Sequence, residues 1–471
     1  MAQGDCAKRR RLQRPTFTFP PSLSVSCRAC GAVLFGGSLS EQNHSWSGKP
    51  ASLYKHSGLD GVTKAAPRHI TLMQGQARIR DCTCSKCGAE VGWFFGESPT
   101  PSQNKCIGVT LPDVVVKNIN AGPQHFPEPS DALDRRAHAF QAANGIVGLQ
   151  ATFQVDGHAP VERAWGYQTS TAALTPETRL RIASVSKTIT AVAVLQLAES
   201  GKLDLDAAVL PFLKQRYNCD FELCQPRRIQ NVTVRHLLHH LGGGWSNEAG
   251  KDPMFLHLHF SHEQLIGTVL REMPLENAPG SHFAYSNFGY CLLGRVIEAV
   301  SNVSYEKFVQ QNILKKIGAK GSCTVGSGAR YYTAKHGGEG DWTLRPAMDS
   351  KADFDLVARM DAHGGWLLSA SDLVKFSQAI EDGTLLNKAS RAALVTPAKG
   401  GYAMGCIVSG HARFHGGSLV GEASILVRTS QHGGMSWALI MNSHNEADFP
   451  FQKLDPFAWE CVGDVLAMMR S

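Results

Sequence analysis

Arg181-Ile182-Ala183-Ser184-Val185-Ser186-Lys187-Thr188 decides the reading of this chain. A serine and a lysine three apart share one helix face, so the Lys187 amine can lie beside the Ser184 hydroxyl. A hydroxyl alone is a poor nucleophile. It needs a neighbouring base, and a lysine serves when burial or a nearby cation pulls its pKa down. Ile189, Val192, Leu195 and Leu197 follow at helical spacings and Gly201 supplies a stop, which predicts a helix over 188–200. Ser184 is expected at its N-terminus, where backbone N–H groups and the dipole favour developing negative charge. A lone serine-x-x-lysine also occurs by chance as a capping serine with a solvated lysine, so the pair needs partners downstream.

Two partners follow in order. Phe283-Ala284-Tyr285-Ser286-Asn287-Phe288-Gly289-Tyr290 precedes Leu292, Leu293, Val296 and Ile297, which read as a buried helix face. Tyr285 there can pass protons between the serine and a leaving group, and Asn287 can hold the lysine or a substrate amide. His415-Gly416-Gly417-Ser418 comes next, where glycines let a backbone approach a substrate closely. The N–H groups of Ser184 and Ser418 are the expected oxyanion donors.

Through these residues, positions of about 135 to 471 resemble the serine β-lactamase and penicillin-binding-protein superfamily, specifically its class C β-lactamase-like esterases and peptidases. Ala164-Trp165-Gly166-Tyr167 resembles the strand ahead of the nucleophile, and Gly201-Lys202-Leu203-Asp204-Leu205-Asp206 the turn after its helix. Val232 to His240 is similar to the next helix, and Gly364-Gly365-Trp366 with Ser369-Ala370-Ser371-Asp372-Leu373 to a later glycine loop and helix start. Ser369 and Asp372 also have the spacing of a capping box. The resemblance implies Ser184 as acyl-forming nucleophile, Lys187 and Tyr285 as acid/base partners, Asn287 as a positioning residue, and His415, Gly416, Gly417 and Ser418 as a substrate-binding strand edge. It further implies an α/β fold, with an antiparallel sheet flanked by helices beside a helical region, and the active cleft at their junction.

The third motif departs from the lysine-threonine-glycine of the β-lactamases. A histidine is mostly neutral at pH 7, so His415 holds a substrate carboxylate less strongly than lysine. This argues against antibiotic hydrolysis, while related esterases and peptidases with histidine here keep esters and small amides in play. No second carboxylate stands out as a deacylation base, which leaves Tyr285 or substrate-assisted activation of water.

A second module precedes this one. Cys27-Arg28-Ala29-Cys30 and Cys84-Ser85-Lys86-Cys87 are two knuckles about fifty residues apart, a pattern that fits one structural zinc held by four thiolates better than a redox pair. Such a site leaves no open position for a catalytic water, which disfavours a metal-dependent hydrolase. Around the cysteines, residues 20–118 resemble the Yippee domain, the zinc-binding β-fold shared with the cereblon thalidomide-binding domain. The matching residues include Gly48-Lys49-Pro50-Ala51-Ser52-Leu53-Tyr54, Gly75, Gly92-Trp93-Phe94-Phe95 and Ser102-Gln103-Asn104-Lys105. Phe95 replaces the usual tyrosine, and 57–67 fits poorly. The resemblance implies a zinc-pinned binding module for a protein partner or small ligand. The expected organisation is a basic tail over 1–19, the zinc module over 20–118, a glycine- and proline-rich linker over 119–134 and the hydrolase module over 135–471.

Most of the formal charge of +7 belongs to the tail, where Lys8, Arg9, Arg10, Arg11 and Arg14 face only Asp5. The remainder is close to neutral, which argues against a nucleic-acid surface. No apolar run is long enough to span a bilayer and no secretory signal follows the tail, so an intracellular protein is expected, cytoplasmic or nuclear. Thirteen cysteines without a disulfide-like framework fit a reducing compartment. Cys406 is expected as a buried, inert thiol on a strand, and 216–230 as an exposed excursion. Two functional classes follow: a serine hydrolase acting through an acyl-enzyme on an ester or peptide-like amide, and a catalytically inactive scaffold that keeps the fold. The intact serine, lysine, tyrosine and asparagine favour the hydrolase.

Overall fold

The computed structural model describes residues 130–470, apart from 170–171, 249–250, 324–330, 337–341, 348–355 and 446–450. Before residue 130 it describes only the backbone of strand segments, such as Leu23–Cys27 and Gly75–Cys84; the same holds for most of the pair Tyr331–His336 and Trp342–Ala347. The expected zinc ligands Cys27, Cys30, Cys84 and Cys87 therefore lie outside the side chains described. The chain divides into two compact units, Met1–His125 and Phe126–Ser471.

The second unit opens with α1 (Ala132–Asn144), capped by the Asp131 carboxylate and ended by Gly145 in the left-handed conformation. Strands β1 (Gly148–Val155) and β2 (Val161–Gly166) form a hairpin. Then come α2 (Ser186–Glu199), α3 (Asn287–Ser301) and α4 (Ala370–Glu381). Strands β3 (Ile407–Ser409), β4 (Ala412–Leu419), β5 (Glu422–Thr429) and β6 (Met435–Met441) follow, and α5 (Phe451–Met468) closes the unit. The strands build one antiparallel sheet in the order β2-β1-β6-β5-β4-β3.

Side chains alternate across a pleated strand, so each strand feeds two cores. On β6, Met435, Trp437, Leu439 and Met441 join the core under α1 and α5, where Phe140 stacks on Phe457 at 4.0 Å between ring centroids. Ala438 and Ile440 face the other way, into the larger core built by α2, α3 and α4. Ser369 and Asp372 form the expected capping box at the start of α4. The helix α2 is buried on every side through most of its length, which explains why its apolar residues show no clean stripe. It begins two residues before the predicted start, because Ser186 and Lys187 already have helical geometry.

Arg295, buried on α3, reaches Asp361 at 2.5 Å and Glu298 at 3.0 Å, fixing α3 to the segment that carries Gly364-Gly365-Trp366. The 216–230 excursion is largely exposed, with Ile229 turned into the core. Cys406 corrects the sequence reading in part: it is buried, its thiol pushed up to about 12 by burial, but it precedes β3 and donates to the Leu394 carbonyl. No helix among the described residues is long and apolar enough to cross a membrane.

Candidate active site

The Ser184 turn is anchored on both sides. Ser184 lies in a 3₁₀ turn, Ala183–Val185, that runs directly into α2. The turn is pinned on one side by the Ile182 amide on the Trp366 carbonyl at 3.0 Å. On the other, the Ser424 hydroxyl donates to the Ile182 carbonyl at 2.8 Å. Between these anchors Ala183 is forced to a φ of 39°, a left-handed strain at the residue before the serine. Gly417 of β4 makes the approach possible, since a Cβ there would stand 2.3 Å from the Ile182 carbonyl oxygen and 2.9 Å from the Ser184 nitrogen. On β4, strand β3 pairs with Ala412 to Phe414 and does not cover the following stretch, which lies against the turn.

One helical turn on, the Lys187 ammonium nitrogen donates to Ser184 Oγ at 2.8 Å and to the His363 carbonyl at 2.8 Å. Lys187 is fully buried, and burial lowers its pKa to about 7 against a smaller opposing pull from the Asp252 carboxylate. Its Nζ also lies 5.0 Å from the Tyr285 ring centroid. Tyr285 hydrogen-bonds Ser184; burial drives its pKa upward, so the phenol stays protonated at neutral pH. It sits at the mouth of an aromatic cluster in which His240 lies 4.2 Å from Tyr285 and 4.4 Å from Tyr402 between ring centroids. Burial drops His240 well below the ordinary histidine range, keeping a second cation out of the Lys187 environment.

Asn287, first residue of α3, donates from Nδ2 to Asp252 Oδ2 at 2.7 Å rather than to Lys187, and its buried Oδ1 has no partner among the described residues. Asp252 accepts a second bond from the Met254 amide at 2.9 Å, and burial raises its pKa. Ser184, Asp252, Asn287 and Ser418 line one cavity of about 520 Å³ together with Phe255 and Leu256. His415 does not line it. Its Nδ1 lies 2.6 Å from the Gly416 carbonyl, which can only accept, so Nε2 accepts from the Tyr402 hydroxyl at 2.9 Å and the ring is neutral. Burial, reinforced by Lys187, lowers its pKa to about 3.

A family model described as Beta-lactamase matches residues 133–450. The chain belongs to the Beta-lactamase family. Its relatives include Protein flp of Staphylococcus aureus (strain MW2), 27% identical over 319 residues that cover 63% of this chain and 60% of that protein. Serine beta-lactamase-like protein LACTB, mitochondrial, of Bos taurus is 24% identical over 331 residues, covering 55% of this chain and 57% of that protein. The chain thus spans less than two thirds of the length of these curated relatives. Among solved structures, D-amino acid amidase from Ochrobactrum anthropi SV3 complexed with L-phenylalanine amide superposes with a TM-score of 0.57 at 22% identity, covering 72% of this chain and 98% of that one. The octameric penicillin-binding protein homologue from Pyrococcus abyssi gives 0.55 at 26% identity, with coverage of 66% and 73%.

Within this family fold, Ser184, Lys187 and Tyr285 come together as their motifs predict, Asn287 and Ser418 line the cavity, and Gly417 packs on the nucleophile turn. His415 does not line the cavity but packs beside Tyr402 and Tyr285, 5.8 and 6.3 Å away between ring centroids. Asp252 and Tyr402 are the residues beside the site that motif reading misses. Asp252-Pro253 carries the signal of a turn and nothing more. Tyr402 lies in the glycine-rich stretch 400–405, which reads as a strand.

Proposed function

We propose that this protein is a serine hydrolase that works through an acyl-enzyme on Ser184, taking neutral esters or small amides. The observation that carries the reading is the fully buried Lys187 amine 2.8 Å from Ser184 Oγ, its pKa lowered by burial to about 7. The fold's likeness to an amidase described with an amide ligand supports the substrate class.

In the first half, neutral Lys187 takes the Ser184 proton as Oγ bonds to the carbonyl carbon and the carbonyl oxygen becomes an oxyanion. The Ser184 and Ser418 amides are the assigned donors to that oxygen. The bond to the leaving group then breaks, its oxygen or nitrogen takes a proton relayed from Lys187 through the Tyr285 hydroxyl, and Lys187 is neutral again. In the second half, water occupies the leaving-group position and gives its proton to the same relay. The acyl carbon is released as an acid and Ser184 regains its proton. Asn287 positions Asp252 and offers Oδ1 to a substrate N–H. His415, neutral and hydrogen-bonded to Tyr402, offers no charge to a substrate carboxylate, which argues against β-lactam antibiotics as substrates.

The test is turnover of a panel of p-nitrophenyl esters and amino-acid p-nitroanilides by the full chain, Ser184→Ala and Lys187→Met. The reading expects activity in the parent and a loss on the order of a thousandfold or more in each variant. Equal turnover by parent and Ser184→Ala would overturn it.

A further inference from the structure

Six large apolar side chains stand exposed among the described residues, and four of them belong to the two segments that bring side chains into the Ser184 cavity. Phe255, Leu256 and Leu258 are 46%, 37% and 44% exposed on the 253–260 segment, and Val420 is 56% exposed at the turn between β4 and β5, beside Leu419. Single exposed apolar residues need no explanation; a cluster rimming a cavity does.

The 253–260 segment is held as a preformed wall. The Arg359 guanidinium donates to the carbonyls of Met254 at 2.6 Å, His257 at 2.7 Å and Phe260 at 3.0 Å. His257, at a φ of 47°, stacks its ring on Phe260 at 4.4 Å. The backbone polar groups are thus satisfied inward on one buried cation, while Phe255 and Leu256 reach the cavity. Met360, the neighbour of Arg359, is buried and lines the same cavity, and Leu419 packs against its cluster with Leu356 and Val357. Among the described residues, no lysine, arginine or histidine lines the cavity. Its volume of about 520 Å³ lies in the range that holds a drug-sized ligand, far more than an acetyl group needs.

We infer that this rim is the acyl-binding surface and that the preferred substrates are neutral esters of medium-chain apolar acids, about six to ten carbons long. The assignment rests on the hydrolase reading above. An apolar chain covers Phe255, Leu256, Met360 and Leu419 together. A carboxylate at the far end of the acyl chain finds no cation among the described lining residues and meets Asp252 instead.

The experiment compares kcat/KM of the full chain for p-nitrophenyl acetate, butyrate, hexanoate, octanoate and decanoate below their critical micelle concentrations, with p-nitrophenyl benzoate alongside. Phe255→Ser and Leu419→Ser alter the rim. Trp459→Gln replaces an exposed aromatic that packs on Trp437 in the core under α1 and α5. The inference expects kcat/KM to rise about two- to fourfold per methylene up to octanoate. The octanoate-to-acetate ratio should fall at least fivefold in each rim variant and hold in Trp459→Gln. A flat series, a benzoate rate above octanoate, or an unchanged ratio in both rim variants would overturn it while leaving the hydrolase reading intact. Adsorption to neutral phospholipid vesicles that the rim variants lose, without any chain-length slope, would make the rim a membrane contact and overturn it equally. If no ester is turned over and Ser184 takes no fluorophosphonate, the hydrolase reading itself falls and the acyl assignment with it.

Discussion

Lys187 carries the chief electrostatic cost of the site. Its folded pKa of about 7 lies below the ordinary 10.5, so burial disfavours its proton. Below pH 7 both folded and unfolded chains hold the proton and the fold bears the whole cost; as pH rises from 7 to 10.5 the unfolded chain still holds the proton, the folded one does not, and the cost declines. Two outcomes follow. A kcat/KM profile should show an acid limb with a midpoint near pH 7, falling about tenfold per unit below it, because only the free amine accepts the serine proton. In Asp252→Asn that midpoint should move to lower pH, since the carboxylate is the group that raises the Lys187 pKa. Lys187→Met should be inactive yet more stable by on the order of 2 kcal/mol at pH 7, read as a rise of several degrees in Tm. At this scale the serine, lysine and tyrosine were legible because each sits in a motif with helical spacing and an apolar run behind it. Asp252 was not, because a carboxylate in a turn gains its meaning only when the chain brings it beside Asn287.

Strand β4 and the turn before α2 form the working element. Gly417→Ala should push β4 off the Ser184 turn and cost on the order of a hundredfold in kcat/KM together with a lower Tm, since the clash falls on the Ile182 and Ser184 backbone and on the buried Ser424 hydroxyl. Ser369→Ala removes the cap of α4 and should lower stability by about 1 kcal/mol in a denaturant titration, with activity retained. The helices α3 and α4 were legible, α3 from its apolar spacing and α4 from its capping box, which are local signals. The strain at Ala183 was not, because it arises from the Trp366 carbonyl and the Ser424 hydroxyl, far away in sequence. His415 teaches the same lesson in reverse. The resemblance implies a substrate-binding strand edge there, and a partner thirteen residues earlier, Tyr402, holds the His415 ring beside Tyr285 and off the cavity lining.

Across the whole chain, the hydrolase fold is contained in the second unit, Phe126–Ser471, with its two cores on either face of one sheet. A fragment of those residues should fold cooperatively and retain p-nitrophenyl ester turnover. For the first unit we propose one structural zinc on Cys27, Cys30, Cys84 and Cys87, supported by the two cysteine knuckles. Elemental analysis should find about one zinc per full chain, and Cys84→Ser should lose it without loss of Ser184 chemistry. The antiparallel sheet was legible only through family resemblance, because its pairings join β1 near residue 150 to β6 near 440, a closure that no local pattern encodes.

Intact-mass spectrometry after exposure to a fluorophosphonate, followed by peptide mapping, tests the central claim most directly. The account predicts one adduct per full chain on the peptide carrying Ser184, absent from Ser184→Ala and much slower in Lys187→Met. A folded parent that takes no adduct, or takes it on another residue, would contradict it.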